Sequence, residues 1–380
     1  MKNTTLLLMA LIVSICGYSQ ENSSSEYQNS GDRLLGTNLP KGITIGGYGQ
    51  IDYNETQGSK AGKLDVHRLV MLFGYKFNDK VSFLTEIEYE HVKEVYVEQA
   101  YLKYKAGDQL NVLAGLMLVP MGIINEYHEP TTYYGVERPN VDKYIVPTTW
   151  RELGVGVSGR IDNASLKYQA YIFNGFKSYA GGSGVLRGTD GLRKGRQKGA
   201  ESFVSSANVS MKLDYYGITG LRLGLSGYFG DTQTDDSAVE GSTVGVSMIG
   251  FDARYKYNNL ELKGQYITTS LNDTEQYNTL TGKDLGSKMT GLYAEVAYGF
   301  DLKGVEKLTP FIRFEKHNTH AETEGSLDAN PAFDRDELIF GLNYKVAEGA
   351  AFKMDYQVLN NAVAGSDATK IFNAGVAIWF

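Results

Sequence analysis

Cysteine is almost absent from this chain of 380 residues: the single one, Cys16, falls within the first twenty positions. If those positions are removed on secretion, neither a disulfide nor thiol chemistry remains. Proline is scarce as well, and of its 7 occurrences four crowd into one segment, at Pro120, Pro130, Pro139 and Pro147. Outside the first twenty residues no apolar run approaches the ~20 that a membrane-spanning helix needs, which excludes a helical membrane protein. An excess of positive charge is missing too. Lys and Arg number 37 against 44 Asp and Glu, a formal net charge of −7, and that balance does not invite nucleic acid.

The first twenty residues, MKNTTLLLMALIVSICGYSQ, place one Lys before an apolar stretch from Leu6 to Cys16 and follow it with small Gly17 and Ser19. This layout predicts a secretory signal over residues 1–20, cleaved beside Ser19 or Gln20; bulky Ile15 argues against a lipid-modified Cys16. Losing Lys2 takes the charge from −7 to −8. Residues 21–41 are polar, unpatterned and rich in turn formers, and predict a flexible periplasmic leader.

What the chain has in plenty is Tyr (27), Gly (44) and a hydrophobic period of two from Ile43 onward. Phe352, Met354, Tyr356 and Val358 alternate with Lys353, Asp355 and Gln357. Leu338, Phe340, Leu342 and Tyr344 alternate with Glu337, Ile339, Gly341, Asn343 and Lys345. One face is apolar and the other wet. The pattern predicts sixteen strands, running from Ile43–Asn54 through Thr149–Asp162, Ala164–Phe176, Ser202–Asp214 and Lys307–His317 to Lys370–Phe380.

Tight turns, such as Asn78-Asp79 and Asn258-Asn259, alternate with long polar connections, such as 119–148, 177–201 and 318–334. A membrane barrel sorts its loops in this way, short on the periplasmic side and long outside. Charges on one face of nearly every strand suit a water-filled lumen, so the apolar face points at lipid and the sheet must close. Residues 42–380 are therefore expected to form an all-β, transmembrane antiparallel barrel. Its last strand pairs with the first, and the ending Asn373, Gly375, Ile378 and Phe380 resembles the C-terminal signal read by the outer-membrane assembly machinery.

Three groups of residues are candidates for controlling passage. The Pro-rich connection is the third outer loop; folded inward, it would set Glu126, Glu129, Glu137, Arg138, Asp142 and Lys143 at a constriction, and otherwise it caps the barrel or contacts another subunit. The next loop is basic, with Lys177, Arg187, Arg193, Lys194, Arg196 and Lys198 against Asp190; it would either draw anions toward the mouth or meet lipopolysaccharide phosphates. Strand parity puts Arg68, Glu86, Glu88, Arg160, Lys167, Lys212, Arg222, Asp252, Arg254, Glu295, Arg313, Glu315 and Lys353 on the pore wall. Mixed signs there make a polar pore, not a strong filter. His317 and His320, near Glu315 and Glu322, do not converge as a metal site on an alternating strand, and no Ser-His pair suggests a hydrolase.

In order along the chain, GGYGQIDYNE, the strand holding Arg68, VEQAYLKY followed by GLMLVPMG, TTWRELGVGVSGRI and YQAYIFNG resemble the phosphate-selective porins O and P, and the signal ending YSQ is similar to those of the Bacteroidetes group. The resemblance implies a sixteen-stranded, homotrimeric porin in a Gram-negative outer membrane that passes small solutes or ions. It further implies phosphate binding along a ladder of arginines with a central lysine cluster. Arg68 and Arg160 stand at matching positions, but the ladder is not legible and the chain is acidic. The expectation is a diffusion porin for small hydrophilic solutes or ions, without enzymatic activity, cofactor or metal; its preference is left open, with anions such as phosphate one alternative. Lipid, lipopolysaccharide and the assembly machinery are its expected partners. A structural or adhesive barrel that binds a partner through its outer loops is the alternative.

Overall fold

The computed structural model describes residues 29–36 and 41–380. The expected signal lies outside this range, as does all of the expected leader but residues 29–36 and 41. Period-two alternation becomes a single closed ladder. Its strands are β1 (Gly42–Thr56), β2 (Lys63–Lys76), β3 (Val81–Glu90), β4 (Glu94–Gly107), β5 (Leu110–Leu118), β6 (Arg151–Ile161), β7 (Leu166–Phe173) and β8 (Asn208–Ile218). The second half supplies β9 (Leu221–Asp231), β10 (Gly245–Tyr257), β11 (Leu260–Asn272), β12 (Lys288–Tyr298), β13 (Lys307–Glu322), β14 (Asp334–Ala347), β15 (Ala350–Asn361) and β16 (Thr369–Trp379). Each strand pairs antiparallel with its neighbours, and β16 returns to β1 from Tyr48↔Trp379 to Thr56↔Ile371, closing a barrel of sixteen strands. Closure leaves no open edge for lipid to meet.

The outward face carries the apolar half of the pattern. Ile249, Phe251, Ile312, Phe314, Phe340, Phe352 and Met354 are all exposed. At the short-turn end Tyr75 packs edge-on against Phe77, and Tyr298 against Phe300, in the manner of an interfacial aromatic girdle. No helix among the described residues is long and apolar enough to cross a membrane.

The inward face departs from the expected uniform wetness. Tyr171, Phe173, Tyr228, Met248, Ile267, Met289 and Tyr293 point inward and are buried. They form one apolar core with Val119, Met121, Ile123, Ile124, Val141, Ile145, Val146 and Trp150 from the connection between β5 and β6. Several strand ends differ from expectation for the same reason. Trp150 leaves the ladder and stacks on Phe176 at 4.4 Å, so Thr149, Trp150 and Asn174 to Phe176 belong to the interior and not to β6 and β7. Ser205 and Ser206 give their N–H groups to Gln233 Oε1, which delays the start of β8 to Asn208. β13 runs past His317 to Glu322.

Beyond the barrel rim, Lys177–Ala180, Ser183–Gly184 and Gln233–Thr234 make a small separate sheet. The helix Thr274–Thr281 locks onto it through Tyr277, whose hydroxyl donates to Ser178 O and accepts from Leu186 N–H.

Candidate functional site

The connection between β5 and β6 folds into the lumen. Its apolar residues bury against the core just described, and its backbone is tied down by wall side chains. Lys212 Nζ donates to Gly122 O at 2.5 Å and to Glu126 Oε2 at 3.0 Å. Gln265 accepts the Ile123 N–H and donates to Asp142 Oδ1. Glu315, itself held by Arg313 at 2.7 Å, accepts the Val141 N–H. Lys353 Nζ donates to the carbonyls of Pro130, Tyr133 and Gly135, and Asp355 accepts the Val136 N–H. Lys212, Gln265, Glu315, Lys353 and Asp355 thus find partners on the loop, which removes the cost of leaving those buried groups unpaired.

A second tether is fully buried. His128 hands its Nδ1 to Asn125 O and turns Nε2 toward Glu98 Oε2 at 3.2 Å and Tyr48 Oη at 2.9 Å, with Glu86 Oε1 at 3.7 Å. Burial opposes a charge on the ring, but hydrogen bonds to the two carboxylates outweigh it and lift His128 to about 10. The outer oxygen of Glu98 accepts from Thr149 Oγ1 and Arg151 Nη1. Asp52, His67 and Glu137 form another convergence of a histidine with carboxylates nearer the long-loop end.

Among the described residues, a water-accessible compartment lies on each side of the loop. Toward the short turns lies a cavity of about 720 Å³ roofed by Tyr127, Tyr133 and Tyr134; Arg33, Arg254, Lys256, Lys263, Lys307 and Lys345 line it against Glu261 and Glu348. Toward the long loops lies a recess of about 40 Å³ lined by Arg68, Arg138, Arg151, Arg193, Arg196 and Lys198 against Glu88 and Glu90. Six cations face two acids in each. In the recess Arg68 pairs with Glu88 and Arg151 with Glu98, yet Nη1 of Arg68, Nε of Arg151 and Nη1 of Arg138 are buried without a hydrogen-bond partner. Arg193 donates to the carbonyls of Lys143 and Thr148, and Arg196 to those of Pro147, Thr149 and Arg193. Burial, with Arg138 alongside, lowers Arg193 to about 10; burial and Arg193 itself lower Arg196 further. Such a cluster is stabilised by an anion.

A family model for phosphate-selective porin O and P matches residues 43–304. The chain belongs to this family. An uncharacterized protein of Aquifex aeolicus (strain VF5) is 31% identical over 346 residues, covering 84% of this chain and 76% of that protein. Among solved structures, the outer membrane channel DcaP of Acinetobacter baumannii superposes with a TM-score of 0.60 at 10% identity, covering 89% of this chain and 97% of that one. Salmonella typhi OmpF in complex with daunomycin gives 0.59 at 14% identity over the same shares. The anion-selective porin from Comamonas acidovorans gives 0.57 at 13% identity, covering 89% and 99%. The protein is an outer-membrane channel of the porin type, and its fold and family are those of a channel rather than an enzyme.

In the porin, the residues expected at the constriction separate into two sets. Glu126, Glu129 and Asp142 do not line an aqueous gap. They are buried against Lys212, the Ser30 N–H and Gln265. Burial lifts Asp142 to about 7, whereas at Glu126 the nearby Lys212 and Lys167 overcome burial and lower it. Glu137 and Arg138 are half-buried, and Lys143 is exposed beside Tyr144. Of the expected wall residues, Glu86, Lys212, Arg313, Glu315 and Lys353 are consumed as loop anchors. Arg222 forms a two-pronged pair with Asp214, and Arg254 lies over the Tyr127 ring. Asp252 lies 3.8 Å from Arg254 and Glu295 3.1 Å from Arg313. Glu88 pairs with Arg68 at 3.3 Å, Lys167 with Asp32 at 3.5 Å, and Arg160 sits over the Tyr216 ring. In the basic loop Lys194 and Arg187 are exposed, Arg187 closing on Asp190; Lys177 lies over Phe203 and Lys198 over Tyr96. Sequence reasoning missed Glu98, His128, Arg151 and Lys263. Glu98 and Arg151 carried one weak signal, a charge on a strand otherwise read as wall.

Proposed function

We propose that the porin passes small anions, phosphate among them, by diffusion from the outer recess past the inward loop into the basic inner cavity. The observation that carries this reading is the serial arrangement of two compartments, each with six cations against two acids. The net charge of −7 does not oppose it, because a charge beyond about 8 Å is screened at physiological salt and a permeating ion feels only its immediate lining. Arg68, Arg138, Arg151, Arg193, Arg196 and Lys198 are the proposed outer anion contacts. Two structural neighbours support the reading by analogy: the Comamonas acidovorans protein is an anion-selective porin, and the outer membrane protein OmpT of Vibrio cholerae occurs in a trimer form. We further propose a homotrimer whose exposed Lys194 meets lipopolysaccharide, and an outer-membrane insertion signal at Ile378 and Phe380.

The test is single-channel recording in planar bilayers under a KCl gradient. The reversal potential is expected to carry the sign of anion preference, and millimolar inorganic phosphate is expected to reduce the chloride current. A cation-selective reversal potential would overturn the proposal.

A further inference from the structure

We propose that residues 29–36 are a selectivity element of the pore: an N-terminal segment that enters from the short-turn end, occupies part of the lumen, and supplies Asp32 and Arg33 to the permeation path. The inference rests on the diffusion of anions proposed above and names the residues that tune it at the inner end.

A helix of five residues, Ser30–Leu34, does not hold itself together in water, so its position comes from tertiary contacts. The Asn29 side chain caps it by accepting the Asp32 N–H at 2.8 Å. The Ser30 N–H donates to Glu129 Oε1 at 2.8 Å, which joins the segment to the inward loop. Leu34 buries among Tyr48, Val70, Leu72 and Leu84. A water-filled lumen has no use for three aliphatic side chains at its wall, and this segment is what covers them.

The wall is also cut to fit. A Cβ at Gly74 would lie 3.0 Å from Leu35 and 3.3 Å from Leu34, and one at Gly46 3.0 Å from Leu34. On the segment itself, a Cβ at Gly31 would meet Tyr101 Oη at 2.8 Å. At Gly46, Gly74 and Gly31 the absence of a side chain leaves room for this close approach.

Its two charges are placed differently. Asp32 lies 3.5 Å from Lys167 and 3.9 Å from Lys103, neutralising cations of β7 and β4. Arg33 is exposed, has its guanidinium 5.0 Å from the Trp379 ring, and lines the inner cavity. The segment lies against β1 to β4 and β7, whereas the cavity opens along β10 to β15. The inner pathway is therefore off-centre, with Arg33 at its edge.

Three variants of the full chain test this in bilayers against wild type. Asp32→Asn is expected to raise the anion-to-cation permeability ratio about twofold in dilute salt, and Arg33→Glu to lower it by a similar factor. Replacing residues 29–36 with an equally long Gly-Ser stretch is expected to raise conductance by about half. Point variants that insert normally yet reverse at the wild-type potential would overturn the inference, even if the Gly-Ser variant fails to assemble. A wild-type channel that prefers cations would overturn the functional proposal instead, because the two point variants are compared with wild type and not with zero.

Discussion

His128 shows how one side chain can link the permeation loop to pH. It faces Glu86, Glu98 and Tyr48, with Glu129 next in the chain and Arg151 bound to the same Glu98. Its pKa is raised from 6.5 to about 10 in the folded porin. A raised pKa means that the native state holds the proton more tightly than the unfolded chain. The stabilisation is thus fully present below about 6.5 and is lost as pH climbs through about 10. The thermal midpoint in detergent should fall between pH 7 and pH 10.5. His128→Gln should lower it at pH 6 and flatten that dependence. A variant whose midpoint keeps the wild-type slope would show that the histidine is not the titrating group.

At the level of elements, the seam between β1 and β16 bears most on assembly. Phe380 exchanges both backbone hydrogen bonds with Gly47, and its ring lies over Gly47, where a Cβ would approach to 2.6 Å. Trp379 stacks on Tyr48, and Arg33 approaches its ring. Asn373 and Gly375 face inward: the first bonds Asp355 and Asn54, and the second has no room for a side chain beside Asp52. Phe380→Lys replaces an outward aromatic at the interface with a charge and should reduce heat-modifiable, membrane-inserted protein several-fold, read on unboiled gels. Wild-type yield would mean that the backbone bonds alone seal the barrel. The strands themselves were legible, because lipid on one side enforces a strict period of two that survives in Ile249, Phe251, Phe352 and Met354. Inward apolar residues such as Val70, Met248 and Met289 were not legible. Parity places them correctly, but their partners lie far away in the chain, on the N-terminal segment and the inward loop. The helix Thr274–Thr281, TEQYNTLT, gives no amphipathic signal and is fixed by Tyr277 contacts across the outer loops.

For the whole molecule, what counts is which charges water can reach. Counting the inward loop's acids Glu126, Glu129, Glu137 and Asp142 against Arg138 and Lys143 gives four minus two, a net −2, and suggests that the loop opposes anions. In the folded porin three of those acids are buried, Glu126 and Asp142 against wall groups and Glu129 against the N-terminal segment, while Arg138 joins five other cations around the outer recess. The loop therefore turns acidic residues into anchors and presents a basic face. Glu126→Gln should leave the reversal potential close to wild type and lower the unfolding temperature, because it takes away the carboxylate to which the buried Lys212 ammonium donates. Arg138→Gln should do the reverse: little change in unfolding temperature, and a shift of reversal potential toward cations. That shift should be largest in dilute salt and fade as ionic strength rises. If instead Glu126→Gln moved the selectivity and Arg138→Gln did not, the path would run past the buried anchors, and the outer recess would be a structural cluster.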